Sequence, residues 1–239
     1  MIIRRFLTVV LTCFCLCGTV TAQLQKHVVI LGDSNTWLGG DECDKPEGWN
    51  KWFKDLAHPR SCVSYARSGA TWTHTSKTVY DTKENTGVLS DNNVIYNQIN
   101  RLVETCDQGI QSMPDLIIIM AGTNDLWFAD KRPDRLSKWI GYDGELLRQA
   151  FPQAKLILVT PPPFVKVGME KQHQAAGEIA ACAEMLHAGV VRLDGGKKPF
   201  CASEMIIKGY SKDGVHTTPK GAQVLGTYIY EQIKAIVQQ

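Results

Sequence analysis

Residues 116–120 read Leu-Ile-Ile-Ile-Met, the most apolar run of the chain beyond its N-terminal leader. A run this short and this uniformly apolar keeps no polar face for water, as expected of a strand in a parallel sheet covered on both sides. Parallel strands cannot be joined by tight hairpins, so the rest of the chain has to supply crossovers. It does so in order. Val28–Leu31, Ser61–Ala66, Lys155–Thr160 and Val190–Leu193 read as four further strands. Between and after them lie segments of helical period. Trp49, Trp52, Phe53 and Leu56 form an aromatic inner face behind an Asp44/Glu47 capping box. Ile95, Ile99, Leu102 and Val103 mark a second helix, and part of Asp134–Phe151 a third, interrupted near Gly141 or Gly144. An Ala-rich helix spans Glu170–Ala188. The last opens with Thr218 as N-cap and Pro219 at its first position, with Ala222, Leu225, Ile229, Ile233 and Ile236 as its apolar stripe. Five β segments alternating with helices give an α/β fold, a parallel sheet covered on both faces with right-handed crossovers. Strand order is not set by the sequence.

Polar blocks stand at the carboxyl ends of these strands, where open α/β sheets bind ligands. Gly32-Asp33-Ser34-Asn35 follows the first strand, Ala66-Arg67-Ser68-Gly69-Ala70 the second and Gly122-Thr123-Asn124-Asp125 the third; Asp213-Gly214-Val215-His216 precedes the last helix. Each block alone is an ordinary turn sequence. Together and in this order they resemble the GDSL or SGNH hydrolase superfamily, named for a Ser, Gly, Asn and His in four separate blocks. The resemblance runs through the chain from the first strand to the last helix. It implies a flavodoxin-like three-layer α/β/α sandwich with a five-stranded parallel sheet. It also implies that Ser34 is the nucleophile, His216 its base and Asp213 the residue that orients His216. The Ser34 and Gly69 amides and the Asn124 side chain would form the oxyanion hole. Asn35 departs from the Leu that the family often carries there, which bears on local packing and substrate preference more than on the chemistry.

Arg4-Arg5, an apolar run from Phe6 to about Cys17, and small residues up to Ala22 read as a signal peptide over residues 1–22, cut before Gln23. The run falls short of the roughly 20 apolar residues of a membrane span. Neither Cys13 nor Cys17 has the small residue before it that a lipoprotein cut prefers. Export to the periplasm or the exterior is expected, with residues 23–239, about 217 of them, as one domain. Without the two leader arginines the formal charge falls from +2 to about zero, so no basic field points to nucleic acid. Cys43, Cys62, Cys106, Cys182 and Cys201 remain, an odd number without the close pairs of a zinc site. Cys62 and Cys182 read as small buried residues, and a disulfide through Cys43 or Cys201 stays open in an oxidising compartment.

Trp37 lies three residues beyond Ser34 and outside the helical period, a candidate for substrate contact. Residues 71–92 are polar and long enough to cover a site, with Trp72 as the leading contact and His74 weighed as a second base. Trp127 and Phe128 either line the cleft or pack their loop. The three prolines 161–163 would hold Phe164 and its loop near the site. The expected reaction is hydrolysis of an ester through an acyl-enzyme, with no metal or organic cofactor. Loops rich in Thr, Asn, Lys and Trp suit a short acyl group, acetyl foremost, on a carbohydrate. The alternatives are a lysophospholipase or thioesterase, and, in a different class, a glycan-binding protein that kept the fold without catalysis. Oligomeric state is not legible.

Overall fold

A computed structural model describes residues 26–76, 78, 80, 93–127, 136–194 and 199–238. The leader and its cut, Phe128 and most of the 71–92 loop lie outside the described residues. The strands are β1 (His27–Gly32), β2 (Ser61–Ser64), β3 (Leu116–Met120), β4 (Lys155–Val159) and β5 (Gly189–Val191). They form one all-parallel sheet in the order β2-β1-β3-β4-β5, the flavodoxin-like order. Every residue of β3 is buried, as its apolar run requires. Val28 to Leu31 of β1, beside it, are sealed as completely.

Around the sheet stand α1 (Ser34–Trp37), α2 (Trp49–Ala57), α3 (Ile95–Asp107), α4 (Thr123–Trp127), α5 (Leu136–Ala150), α6 (Met169–Met185), α7 (Ala202–Ile207) and α8 (Pro219–Val237). Right-handed crossovers place the helix leading from β1 out to β2 on one face and those leading back through β3, β4 and β5 on the other. The packing follows: α2 lies against α8, whereas α3, α5 and α6 touch in series. At the first interface Trp49 and Phe53 are fully buried, and the Phe53 ring meets Tyr230 edge-on at 6.3 Å.

Several expectations are corrected. The Asp44/Glu47 capping box is absent. The helix begins at Trp49 behind Gly48, while the amides of Asp44 and Lys45 both close on the Gly39 carbonyl at 3.0 Å. Leu56 lies at the exposed edge of the aromatic face, and Ala57 is buried instead. Neither glycine interrupts α5. A Cβ on Gly144 would stand 2.3 Å from a Leu186 methyl, so that glycine serves helix packing. Phe164 is buried in the core. Its loop still braces the site, because Val165 N–H donates to the Gly214 carbonyl at 2.9 Å. The five described cysteines are free, with Cys43, Cys62 and Cys182 buried.

Candidate active site

Strand order sets the site. With β1 between β2 and β3, the loops carrying Gly69, Ser34 and Asn124 leave the sheet side by side at its carboxyl edge. Backbone bonds stitch them together: Arg67 N–H donates to the Gly32 carbonyl at 3.1 Å, and Asp33 N–H to Met120 at 3.2 Å. Asn124 Nδ2 donates to the Ala70 carbonyl at 2.9 Å. That amide carries a second hydrogen.

Ser34 is the first residue of α1, and Asp33 is its N-cap, with Oδ1 accepting from Asn35 N–H at 3.0 Å. The Ser34 amide is therefore a first-turn donor with no intrahelical acceptor. Gly69 holds φ +76°, a conformation that a side chain would strain. Neither amide bonds to another described residue. Two buried side chains fix the turn from beneath, one of them absent from the sequence reading and the other known there only as a core aromatic. Gln98, on the inner face of α3, accepts from Gly32 N–H at 2.9 Å and donates to the Gly32 carbonyl at 2.8 Å. Trp49 Nε1–H donates to Thr36 Oγ1 at 3.0 Å. A glutamine in phase with Ile95 and Leu102 was the legible signal for the first.

The fourth block comes from the opposite end of the chain. Asp213 Oδ1 accepts from the amides of Val215 at 2.9 Å and His216 at 2.8 Å. Ser211 Oγ accepts from Gly214 N–H at 2.9 Å, so three successive amides are closed by two side chains. Gly214 has φ +79°, and a Cβ there would meet Val165 at 2.1 Å. Held this way, His216 Nδ1 lies 2.6 Å from Asp213 Oδ2 and Nε2 lies 2.9 Å from Ser34 Oγ. A carboxylate can only accept, so Nδ1 carries the proton and Nε2 is left to accept from the Ser34 hydroxyl. Burial pushes the Asp213 carboxyl up, but hydrogen bonds from His216 and Val215 outweigh it and hold the group well below the usual carboxylate range. Asp33, fully buried, is pushed up to about 6 by burial against the opposing bond from Asn35.

A cleft of about 390 Å³ opens on Ser34 and His216. Trp37 forms part of its wall together with Ser68, Glu47, Lys212 and Thr217. Trp72 is a correction: the residue is 1% exposed, its ring in the core, and its backbone N–H donates to Asp125 Oδ2 at 3.0 Å, so it presents no face to a ligand. Trp127 ends α4, 42% exposed and outside the walls of this cleft. His74, weighed as a second base, does not line this cleft, and its ring stacks on Trp139 with centroids 3.8 Å apart. Among the described residues no cluster of three or more His, Cys, Asp or Glu is placed to hold a metal ion.

The profile of the GDSL-like lipase/acylhydrolase family matches residues 30–224. No curated protein matches the sequence. Among solved structures, a GDSL-like lipase from Bacteroides thetaiotaomicron is similar at 21% identity, covering 89% of each chain with a TM-score of 0.57. A psychrotrophic esterase from Pseudoalteromonas sp. is similar at 16% identity, over 89% of this chain and 98% of that one, with a TM-score of 0.58. A carbohydrate esterase family 2 enzyme of Myceliophthora fergusii is similar at 15% identity, over 91% of this chain and 68% of that one, with a TM-score of 0.59. These likenesses show the fold, and the profile, which spans all four blocks of the carboxyl edge, shows more: the chain belongs to the GDSL-like lipase/acylhydrolase family and is a carboxylic ester hydrolase.

Proposed function

We propose that the protein removes short acyl groups, acetyl foremost, from a carbohydrate, through a Ser34–His216–Asp213 triad and an acyl-enzyme. The observation that carries the triad is the unbroken chain from Ser34 Oγ through the imidazole to Asp213, at 2.9 and 2.6 Å. His216 Nε2 takes the Ser34 proton as Oγ attacks the ester carbonyl, and Asp213 stabilises the imidazolium that forms. The carbonyl oxygen, now negative, faces the Ser34 and Gly69 amides and the second hydrogen of Asn124; one such donor contributes about 2.7–4 kcal/mol to lowering the barrier. His216 then protonates the leaving alcohol. Water, deprotonated by the same nitrogen, releases the acid and restores Ser34.

Trp37 and the polar groups around it support the substrate class. An indole plate beside hydroxyls and charges suits a sugar ring, and Leu38 and Pro219 offer only short aliphatic contact. A leader over residues 1–22 would deliver the enzyme to glycans outside the cytoplasm. The likeness to a carbohydrate esterase is in keeping with this reading. The test is acetate release from acetylated xylan, pectin and peptidoglycan beside nitrophenyl esters of increasing chain length. One acetylated polymer should be preferred, and rates on the nitrophenyl series should fall as the acyl chain lengthens, since Leu38 and Pro219 are the only aliphatic residues of the cleft wall. Faster hydrolysis of long-chain esters than of any acetyl ester would replace this reading with a lipid or thioester acylhydrolase.

A further inference from the structure

A second cavity, of about 420 Å³, is walled by His74, Tyr80, Tyr96, Asn100, Trp139 and Tyr142, none of which lines the cleft at Ser34. Its position follows from topology. Tyr96 and Asn100 are one turn apart near the start of α3, and Trp139 and Tyr142 share a face in the first turns of α5. Both helices begin on the carboxyl side of the sheet, the side of the triad. Residues 70–74 bridge the two cavities. Ala70 accepts from Asn124, the amides of Trp72 and Thr73 donate to Asp125 at 3.0 and 2.8 Å, and His74 is the next residue.

The rings are fixed against one another. His74 lies flat on Trp139 at 3.8 Å, and its Nδ1 is 2.9 Å from the Tyr80 hydroxyl. Tyr96 and Tyr142 lie near-parallel with centroids 6.0 Å apart, and Trp139 stands at 87° to Tyr142. Three of the seven tyrosines of the chain meet here, and Tyr80 and Tyr142 are 60% and 48% exposed. Flat π faces carrying phenol hydroxyls, beside an amide, match a pyranose ring, which offers C–H bonds on one face and hydroxyls at its rim. None of the six residues is aliphatic, and the hydroxyls and amide among them match the rim of a sugar better than an acyl chain. A quaternary ammonium would meet Lys138, whose Nζ already sits 4.7 Å from the Trp139 ring centroid.

We infer that this aromatic cavity is a second carbohydrate site, which grips a pyranose unit of the polymer at a distance from the ester being cleaved. It deepens, and rests on, the glycan esterase reading. Its role is to raise the local concentration of the chain at Ser34, so it acts on KM for polymer and not on the chemical step.

The test has two arms. In the first, Ser34→Ala protein is titrated by calorimetry with unacetylated xylo-, galacturono- and N-acetylglucosamine oligosaccharides, alone and with Tyr142→Ala or Tyr80→Ala added. In the second, Tyr142→Ala and Tyr80→Ala in the otherwise native enzyme are assayed on the preferred acetylated polymer and on p-nitrophenyl acetate, with circular dichroism confirming the fold. One oligosaccharide class should bind, and Tyr142→Ala should weaken it about tenfold and raise KM for polymer similarly, leaving p-nitrophenyl acetate turnover unchanged. Acetate release from polymer with a KM that neither folded variant changes would overturn the second site and leave the esterase reading intact. Oligosaccharide binding that depends on Tyr142, in a protein that deacetylates none of the polymers, would uphold the site and overturn the substrate reading. If no oligosaccharide binds, the site is overturned.

Discussion

Asp33 stands one residue before the proposed nucleophile with its carboxyl wholly buried, and burial lifts it from 3.8 to about 6 even though it caps α1. A carboxyl whose folded value exceeds its unfolded one supports the fold fully below the unfolded value and loses that support as pH rises through the folded one. The difference corresponds to roughly 3 kcal/mol, lost between about pH 4 and pH 6. Asp33→Asn keeps an oxygen to cap Asn35 but cannot ionise. Denaturant unfolding at pH 4 and pH 7 should therefore show wild type losing stability across this interval relative to Asp33→Asn. Parallel curves for the two proteins would mean that Asp33 only caps. The same residue shows what a sequence hides. The four polar blocks were legible only together, through their order and its resemblance to the GDSL family, since each alone reads as an ordinary turn. Burial of a single side chain in a loop is set by neighbours distant in sequence. Trp72 looked like a contact residue on a polar loop, but Asp125, 53 residues away, holds its amide in the core. Trp37, three residues from Ser34, needs no distant neighbour to reach the cleft, and it lines the wall there.

Two glutamines on inward helix faces fasten the loops that bear the site. Gln98 of α3 satisfies both backbone groups of Gly32, and Gln172 of α6 accepts from Phe164 N–H while donating to the carbonyls of Phe164 and Val167. The second clamp reaches His216 indirectly, through the Val165–Gly214 bond. Gln98→Leu, similar in volume, strands a buried amide at an expected cost of about 1–3 kcal/mol. For a chain of this size each kcal/mol lowers Tm by about 2–4 °C. Turnover of p-nitrophenyl acetate should fall more than KM rises, because the Ser34 turn loosens while the cleft wall stays. An unchanged Tm and turnover would show the clamp to be idle. Elements as a class were readable: all five strands, and the helices with long apolar stripes, lie where periodicity placed them. The errors fell where local rules compete. Asp44 and Glu47 have capping spacing, but Gly39 captures the Asp44 amide that the Glu47 side chain would have to accept from. Gly144 looks like a breaker, yet it is the residue that lets α5 approach Leu186. The six-residue α7 and the one-turn helices α1 and α4 are too short to carry a period.

At the scale of the molecule, the sheet brings together groups that the chain keeps 182 residues apart, Ser34 at its first strand and His216 before its last helix. Strand order decides this, and no local pattern encodes it. Only with β1 between β2 and β3 do Gly69 and Asn124 flank Ser34, and only with β5 at the far edge does α8 return to α2 and carry His216 over the cleft. The most direct measurement is reaction of the purified enzyme with a serine-directed phosphonate, followed by peptide mapping, alongside ester hydrolysis by Ser34→Ala. The expected result is a single adduct at Ser34, formed slowly or not at all in His216→Ala, and loss of hydrolysis in folded Ser34→Ala. An adduct on another serine, or hydrolysis that survives Ser34→Ala, would contradict the triad.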